Sequence, residues 1–329
     1  MSDPQSDPRP DSRSGGGPPE PTGPQPVRSK EVDPAPSMGL VQGLIRTARP
    51  RQWIKNLLVF AAPGAAGVLT HGAALGRSAA AFGIFCLAAS GTYFMNDALD
   101  HEVDRLHPEK RRRPVAAGVV GLRTAAGAAV ALLALAIGLG AAVLGVQFAL
   151  AIGIYVAINL AYSVWLKREP ILDLAAVASG FLIRAIAGGL AAGVPLSNWF
   201  LIVASFGSLF MVAGKRQVDH RELELEGIGH RGALAAYSQQ FLRFIRGLSA
   251  GVAITAYCFW AFEKAALAPR GDVYFELTIA PFVLAILRYA LLLEAGAGGA
   301  PEDVVLGDRT ILLLGAVWAV LFAAGVYGP

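Results

Sequence analysis

Charge is scarce in this sequence. Only 16% of its 329 residues are Asp, Glu, Lys or Arg, while 54% are hydrophobic; soluble domains carry about 25% charged residues. A soluble globular protein is therefore a poor fit, and a polytopic membrane protein a good one. Cysteine is scarce too. Cys86 and Cys258 both sit in apolar runs, which argues for inert packing and against a disulfide framework or a thiolate metal site. Like charges nowhere form a block long enough to suggest nucleic acid. Residues 1–37 lack the apolar stretch of a signal peptide and hold ten of the 20 prolines. That segment reads as a disordered cytoplasmic tail, leaving 38–329 as the membrane domain.

Nine apolar runs follow, at 53–69, 79–99, 122–145, 148–166, 171–194, 199–214, 246–263, 275–293 and 311–327. Each approaches the roughly 20 residues of a spanning helix. The expected fold is an all-α transmembrane bundle of about nine helices in the lipid bilayer. Cations alternate strongly between the links. Arg46, Arg49, Arg51 and Lys55 precede the first run, and Arg105, Lys110, Arg111, Arg112, Arg113 and Arg123 follow the second. Lys167 and Arg168 follow the fourth, and Lys215, Arg216 and Arg221 the sixth. The positive-inside rule makes these links cytoplasmic, in a plasma (inner) membrane, with Pro329 on the opposite side.

The second run ends in Asn96-Asp97-Ala98-Leu99-Asp100-His101-Glu102-Val103-Asp104. Carboxylates there cost about 2.5–3.5 kcal/mol each on insertion scales, so they signal function. On a helix, Asn96, Asp100, Asp104 and Asp97 fall at about 0°, 40°, 80° and 100°, with Tyr93 at about 60° inside the same arc. Clustered carboxylates repel unless a cation lies between them, and an all-oxygen set suits Mg²⁺ with a bound phosphate. His107-Pro108-Glu109-Lys110-Arg111-Arg112-Arg113-Pro114 follows at once. Pro108 is expected to end the helix, and the turn after it to return cations towards the carboxylates, where they neutralise phosphate oxygens.

The motif N-D-x-x-D-x-x-x-D followed by H-P-x-K-x-x-R-P resembles the UbiA superfamily of intramembrane prenyltransferases. The resemblance runs from about residue 44 to 328. It implies a bundle of about nine helices around a central cavity open to lipid. A narrower resemblance, to the branch that transfers phosphoribose to a polyprenyl phosphate, rests on further segments. These are Arg49-Pro50-Arg51-Gln52-Trp53-Ile54-Lys55-Asn56, Tyr162-Ser163-Val164-Trp165-Leu166-Lys167, the stretch from Gly180 to Gly189 around Arg184, the stretch from Gly207 to Arg216, and Pro301-Glu302-Asp303. Ordinary members carry a second D-x-x-x-D after the fourth span; here that region holds Lys167, Arg168 and Asp173, with Val at 177. One acidic cluster with surplus cations fits a donor bearing an extra phosphate.

The resemblance implies an enzyme that moves 5-phosphoribose from phosphoribosyl pyrophosphate to polyprenyl (decaprenyl) phosphate, for cell-wall arabinan precursors, with Mg²⁺ as cofactor. Asn96, Asp97, Asp100 and Asp104 are the expected metal set, and Asp97, Asp100, Asp104 and Lys167 the expected catalytic residues. Lys110, Arg113 and Lys167 would neutralise phosphate charge. Lys55, Lys215 and Arg216 would take the 5-phosphate or the acceptor phosphate, and Tyr93, His107, Tyr162 and Arg184 would complete the substrate site. Arg184, mid-span, is expected to pair with a carboxylate or a phosphate. Two rivals remain: an aromatic or quinone-pathway prenyltransferase of the same fold, and a transporter or flippase without chemistry. Monomer and oligomer both remain open.

Overall fold

Ala- and Leu-rich runs make helices because a bilayer leaves the backbone no other partner than itself. The computed structural model describes residues 38–107, 109–225, 232–267, 272–297 and 301–327, and the described residues hold helices and no strand. The expected tail, Pro108 and Pro329 lie outside the described residues. Helices are numbered in chain order: α1 Leu40–Ala48, α2 Ala61–Ala65, α3 Gly72–Leu99, α4 His101–Leu106, α5 Leu122–Leu139, α6 Val146–Val164, α7 Leu172–Ala192, α8 Asn198–Leu225, α9 Gln239–Leu267, α10 Asp272–Leu277, α11 Ile279–Glu294, α12 Pro301–Gly307 and α13 Arg309–Tyr327.

Eight helical stretches among the described residues are long and apolar enough to cross a membrane. They correspond to the second to ninth expected runs. The first run differs. It is a 3-10 helix, Pro50–Phe60, running into the short α2. A 3-10 helix rises about 2.0 Å per residue against 1.5 Å for an α-helix. The two pieces together therefore reach about 30 Å, the thickness of a hydrocarbon core.

Glycine lets this segment nest in the bundle. A Cβ on Gly188 of α7 would lie 1.9 Å from the carbonyl oxygen of Val59, so the backbones of α7 and the 3-10 helix meet directly. Around that contact Phe85, Phe148, Ile152 and Tyr155 pack with small residues such as Ala88 and Ala187. This is the close packing that replaces a hydrophobic driving force in lipid. Outward faces are apolar instead: Val130, Val146, Leu313 and Val320 are each 64–70% exposed.

Gly145, at φ +101°, closes the corner between α5 and α6 after a π-turn over Gly140–Leu144. At that end of the bundle Arg77 donates to the carbonyls of Ala191 and Leu144, satisfying chain ends that the helices leave open. Trp318 is a packing residue: its indole donates to Tyr257 Oη at 2.6 Å and stacks on Phe322.

Candidate active site

The acidic face forms where α3 gives way to α4. Asp100 sits at the junction with φ −93° and ψ 4°. The i to i+4 bonds nevertheless run through it, from Asp100 N–H to Asn96 C=O at 2.9 Å and from Asp104 N–H to Asp100 C=O at 2.8 Å. The four acidic-face residues keep the angular order read from the sequence, and the two ends of the arc meet different partners. Asn96 accepts a hydrogen bond from Ser163 of α6, and Asp100 pairs with Lys167, just after α6, at 2.8 and 3.1 Å. On the other side Asp97 pairs with Arg49 at 2.6 Å and Arg113 at 3.4 Å, while Arg113 also reaches Asp104 at 2.8 Å. Tyr93, between them on the arc, lies under the Arg49 guanidinium, 4.7 Å from ring centre to Cζ.

Each carboxylate thus has a cation supplied by another element. Asp97 and Asp104 are buried, and Asp100 keeps a third of its side chain exposed. The donor types suit a hard divalent cation. Asn96 and Asp100 meet the α6 side, where the amide and the partly open carboxylate lie one helical turn apart. Among the described residues no three His, Cys, Asp or Glu side chains already converge as a metal cage. The fit is therefore one of chemistry and register.

A second buried carboxylate lies across the site. Asp173, in the first turn of α7, accepts Nε and Nη2 of Arg216 at 2.9 and 2.7 Å and the Tyr162 hydroxyl at 3.2 Å. Arg216 also donates to Tyr162 Oη at 3.0 Å. Lys215 pairs with Asp219 one turn on, at 2.7 Å. The chain before Asp173 is bent sharply: the N–H of Leu172 bonds the carbonyl of Pro170, and Ile171 between them has φ +68°. A β-branched residue there is strained. The hydroxyl of Tyr237 accepts the Ile171 N–H at 2.7 Å and steadies the turn. Burial pushes that phenol above its ordinary pKa. Arg49 is the other non-glycine residue with positive φ among those described, at 52°. Both strained residues therefore adjoin a buried carboxylate of the site, a placement typical of functional centres.

A cavity of about 680 Å³ opens beside Arg216. Its walls are apolar, from residues such as Leu58, Phe181, Met211 and Leu306, and Lys55, Lys215, Arg216 and Glu302 provide its charged groups. Lys55 lies 3.4 Å from Glu302 of α12. An amphipathic ligand with an anionic head suits this shape.

Two residues of the expected substrate site have partners within the chain. Arg184 is buried as foreseen, but its partners are neutral. It donates to Asn56 Oδ1 at 2.7 Å, Gly180 C=O at 2.7 Å and Tyr155 Oη at 3.0 Å, and lies over the Tyr155 ring at 4.8 Å. Among the described residues no carboxylate pairs with this guanidinium, so of the two expected partners the carboxylate is not found; dipoles and a π face satisfy it, and it braces α6, α7 and the 3-10 helix. His107 is exposed and its ring nitrogen accepts the N–H groups of Glu109 and Lys110 at 3.3 and 3.4 Å; it shapes the turn. Arg49, Ser163, Asn56, Tyr237 and Glu302 join the site without having been picked out for it.

A profile of the UbiA prenyltransferase family matches residues 57–306. The chain is 43% identical over 295 residues to decaprenyl-phosphate phosphoribosyltransferase of Corynebacterium glutamicum, covering 89% of each. It is 44% identical over 311 residues to the protein of that name from Mycolicibacterium smegmatis, covering 91% of this chain and 98% of the relative. A UbiA homologue from Archaeoglobus fulgidus, solved with GPP and Mg²⁺, shares the fold at a TM-score of 0.65 and 20% identity, covering 86% of this chain and 98% of that one. The same homologue has been solved with Cd²⁺, at a TM-score of 0.64 and 18% identity, over 86% and 98% of the two chains. With its acidic face at a helix end and its spanning helices around a cation-rimmed apolar cavity, this multi-pass membrane chain belongs to the UbiA prenyltransferase family.

Proposed function

We propose that the chain transfers 5-phosphoribose from phosphoribosyl pyrophosphate to a polyprenyl phosphate, decaprenyl phosphate in the first instance, and releases diphosphate. The work is done at the cytoplasmic face of the plasma membrane. The observation that carries this reading is near-full-length similarity to two relatives named for that activity. The sequence after α6 supports it: Asp173 is followed by Val at 177, so a second D-x-x-x-D is incomplete.

The lipid acceptor suits the 680 Å³ cavity, chain against the apolar wall and phosphate towards Lys55, Lys215 and Arg216. Asn96 and Asp100, with Asp97 and Asp104 behind them, are the residues to hold Mg²⁺, which when bound neutralises the departing diphosphate. Lys167, paired with Asp100, carries further positive charge to the same oxygens. As the ribose C1–O bond lengthens, the ring gathers positive charge, and the anionic lipid phosphate attacks from the opposite face. That oxygen is already ionised near neutral pH, so the chain needs no strong general base.

The test uses purified protein in detergent with labelled phosphoribosyl pyrophosphate and decaprenyl phosphate. Appearance of a phosphoribosylated lipid with equimolar diphosphate is expected. Prenylation of an aromatic acceptor, with no ribosylated lipid formed, would overturn the reading.

A further inference from the structure

A second, smaller cavity of about 360 Å³ lies on the other side of the acidic face. Its character is opposite to that of the apolar one. Arg46, Arg49, Lys110, Arg112 and Arg113 line it, against the carboxylates of Asp97 and Glu109. Asp97 engages Arg49 and Arg113 and so fixes two guanidinium groups in the wall. Arg46, Lys110 and Arg112 make no ion pair with a carboxylate among the described residues, and all three are exposed to water. Three more cations than carboxylates, in a concave site reached from water, attract a compact polyanion.

We propose that this cavity binds the phosphate monoester of the soluble donor, the 5-phosphate in the reading above, on which this inference rests. The chemistry of the two cavities separates the ligands. A lipid phosphate brings an apolar chain that suits the apolar walls of the larger cavity and not the charged walls of this one. A donor with charge at both ends finds the Lys167 ammonium beside Asp100 and a separate set of cations here, with Asp97 and Asp100 one helical turn apart on α3 and its junction. Arg46 from α1 and Arg112 from the turn after α4 close on the phosphate from two elements, so the site discriminates by reach as well as charge. An anionic phospholipid headgroup offers the same phosphate chemistry, and the test separates the two.

The double variant Arg46→Gln/Arg112→Gln is suited to the purpose, since both side chains are exposed and outside the ion pairs of the fold. Calorimetric titration of protein in phosphatidylcholine nanodiscs with ribose 5-phosphate should show binding, and ribose should show none. The variant should bind ribose 5-phosphate at least about tenfold more weakly. In turnover assays its KM for phosphoribosyl pyrophosphate should rise by a similar factor while KM for decaprenyl phosphate holds. Equal ribose 5-phosphate affinity in variant and wild type would overturn the proposal, as would a shift in the lipid KM alone. Loss of ribose 5-phosphate binding when phosphatidylglycerol is added, relieved in the variant, would assign the cavity to a headgroup instead. If the wild type makes no ribosylated lipid yet titrates ribose 5-phosphate through these arginines, the functional reading fails and the site stands.

Discussion

Arg216 grips Asp173 through two hydrogen bonds, Nε to Oδ2 at 2.9 Å and Nη2 to Oδ1 at 2.7 Å, between α8 and the start of α7. Only 3% of the Asp173 side chain is exposed. Removing the arginine leaves a buried carboxylate with a tyrosine hydroxyl alone, a change that typically costs about 3–5 kcal/mol. Arg216→Ala should therefore lower the unfolding temperature in detergent clearly, and Arg216→Lys should recover part of it, because lysine restores charge but not the fork. An unchanged melting curve in both would show the pair to be incidental.

Asp100 differs from its neighbours by being a third exposed, and its ion pair is with Lys167. Asp100→Ala should abolish turnover while the protein still inserts and melts normally. EDTA should silence the wild type and Mg²⁺ restore it. Lys167→Ala should raise the donor KM or lower kcat by roughly tenfold or more, as expected for loss of a charge-assisted contact. Full activity in EDTA would remove the metal from the scheme.

Gly188 meets the Val59 carbonyl across the bundle. Gly188→Ala places a methyl group where backbone already lies, and overpacking of that kind costs typically 1–3 kcal/mol and occasionally more. A fall in yield and melting temperature is expected. Gly153→Ala in α6 is the control: nothing lies within 4 Å of its Cβ position, and alanine there should be neutral or gain up to about 1 kcal/mol.

Orientation is open to direct measurement. Arg123 begins α5 and His71 precedes α3, both exposed, at opposite ends of the bundle by the course of α3 and α5. In a background lacking Cys86 and Cys258, Arg123→Cys should react with an impermeant thiol reagent only from the cytoplasmic side, and His71→Cys only from outside. Labelling from the reverse sides would invert the assignment.

The acidic arc was legible because a helix converts spacing into angle. The order Asn96, Asp100, Asp104, Asp97 survives in the partners Ser163, Lys167, Arg113 and Arg49. The return of Arg113 was legible too, because Pro114 and the preceding turn leave it few places to go. Arg49 was not. It is itself the left-handed residue that ends α1 and turns its side chain to Asp97, and no periodicity marks a single positive φ. Helix ends were read short: α3 starts at Gly72, α8 runs to Leu225 and α9 starts at Gln239. Hydropathy reports where lipid lies, and these helices continue past it. The 3-10 geometry of Pro50–Phe60 was invisible because it answers to α7, through Gly188, and not to its own sequence.

The pre-paired cations also make the site selective in a way that has nothing to do with shape. Arg49, Arg113 and Lys167 are each already engaged by a carboxylate of the chain. An incoming anion therefore competes with Asp97, Asp104 and Asp100 as a rival. A singly charged solute merely exchanges one carboxylate for another and gains nothing. A ligand that carries several phosphate oxygens on one rigid frame displaces the resident carboxylates together, at a single loss of translational freedom. At Arg49, Arg113 and Lys167, then, the resident acids weigh against small singly charged anions and in favour of a multiply charged ligand.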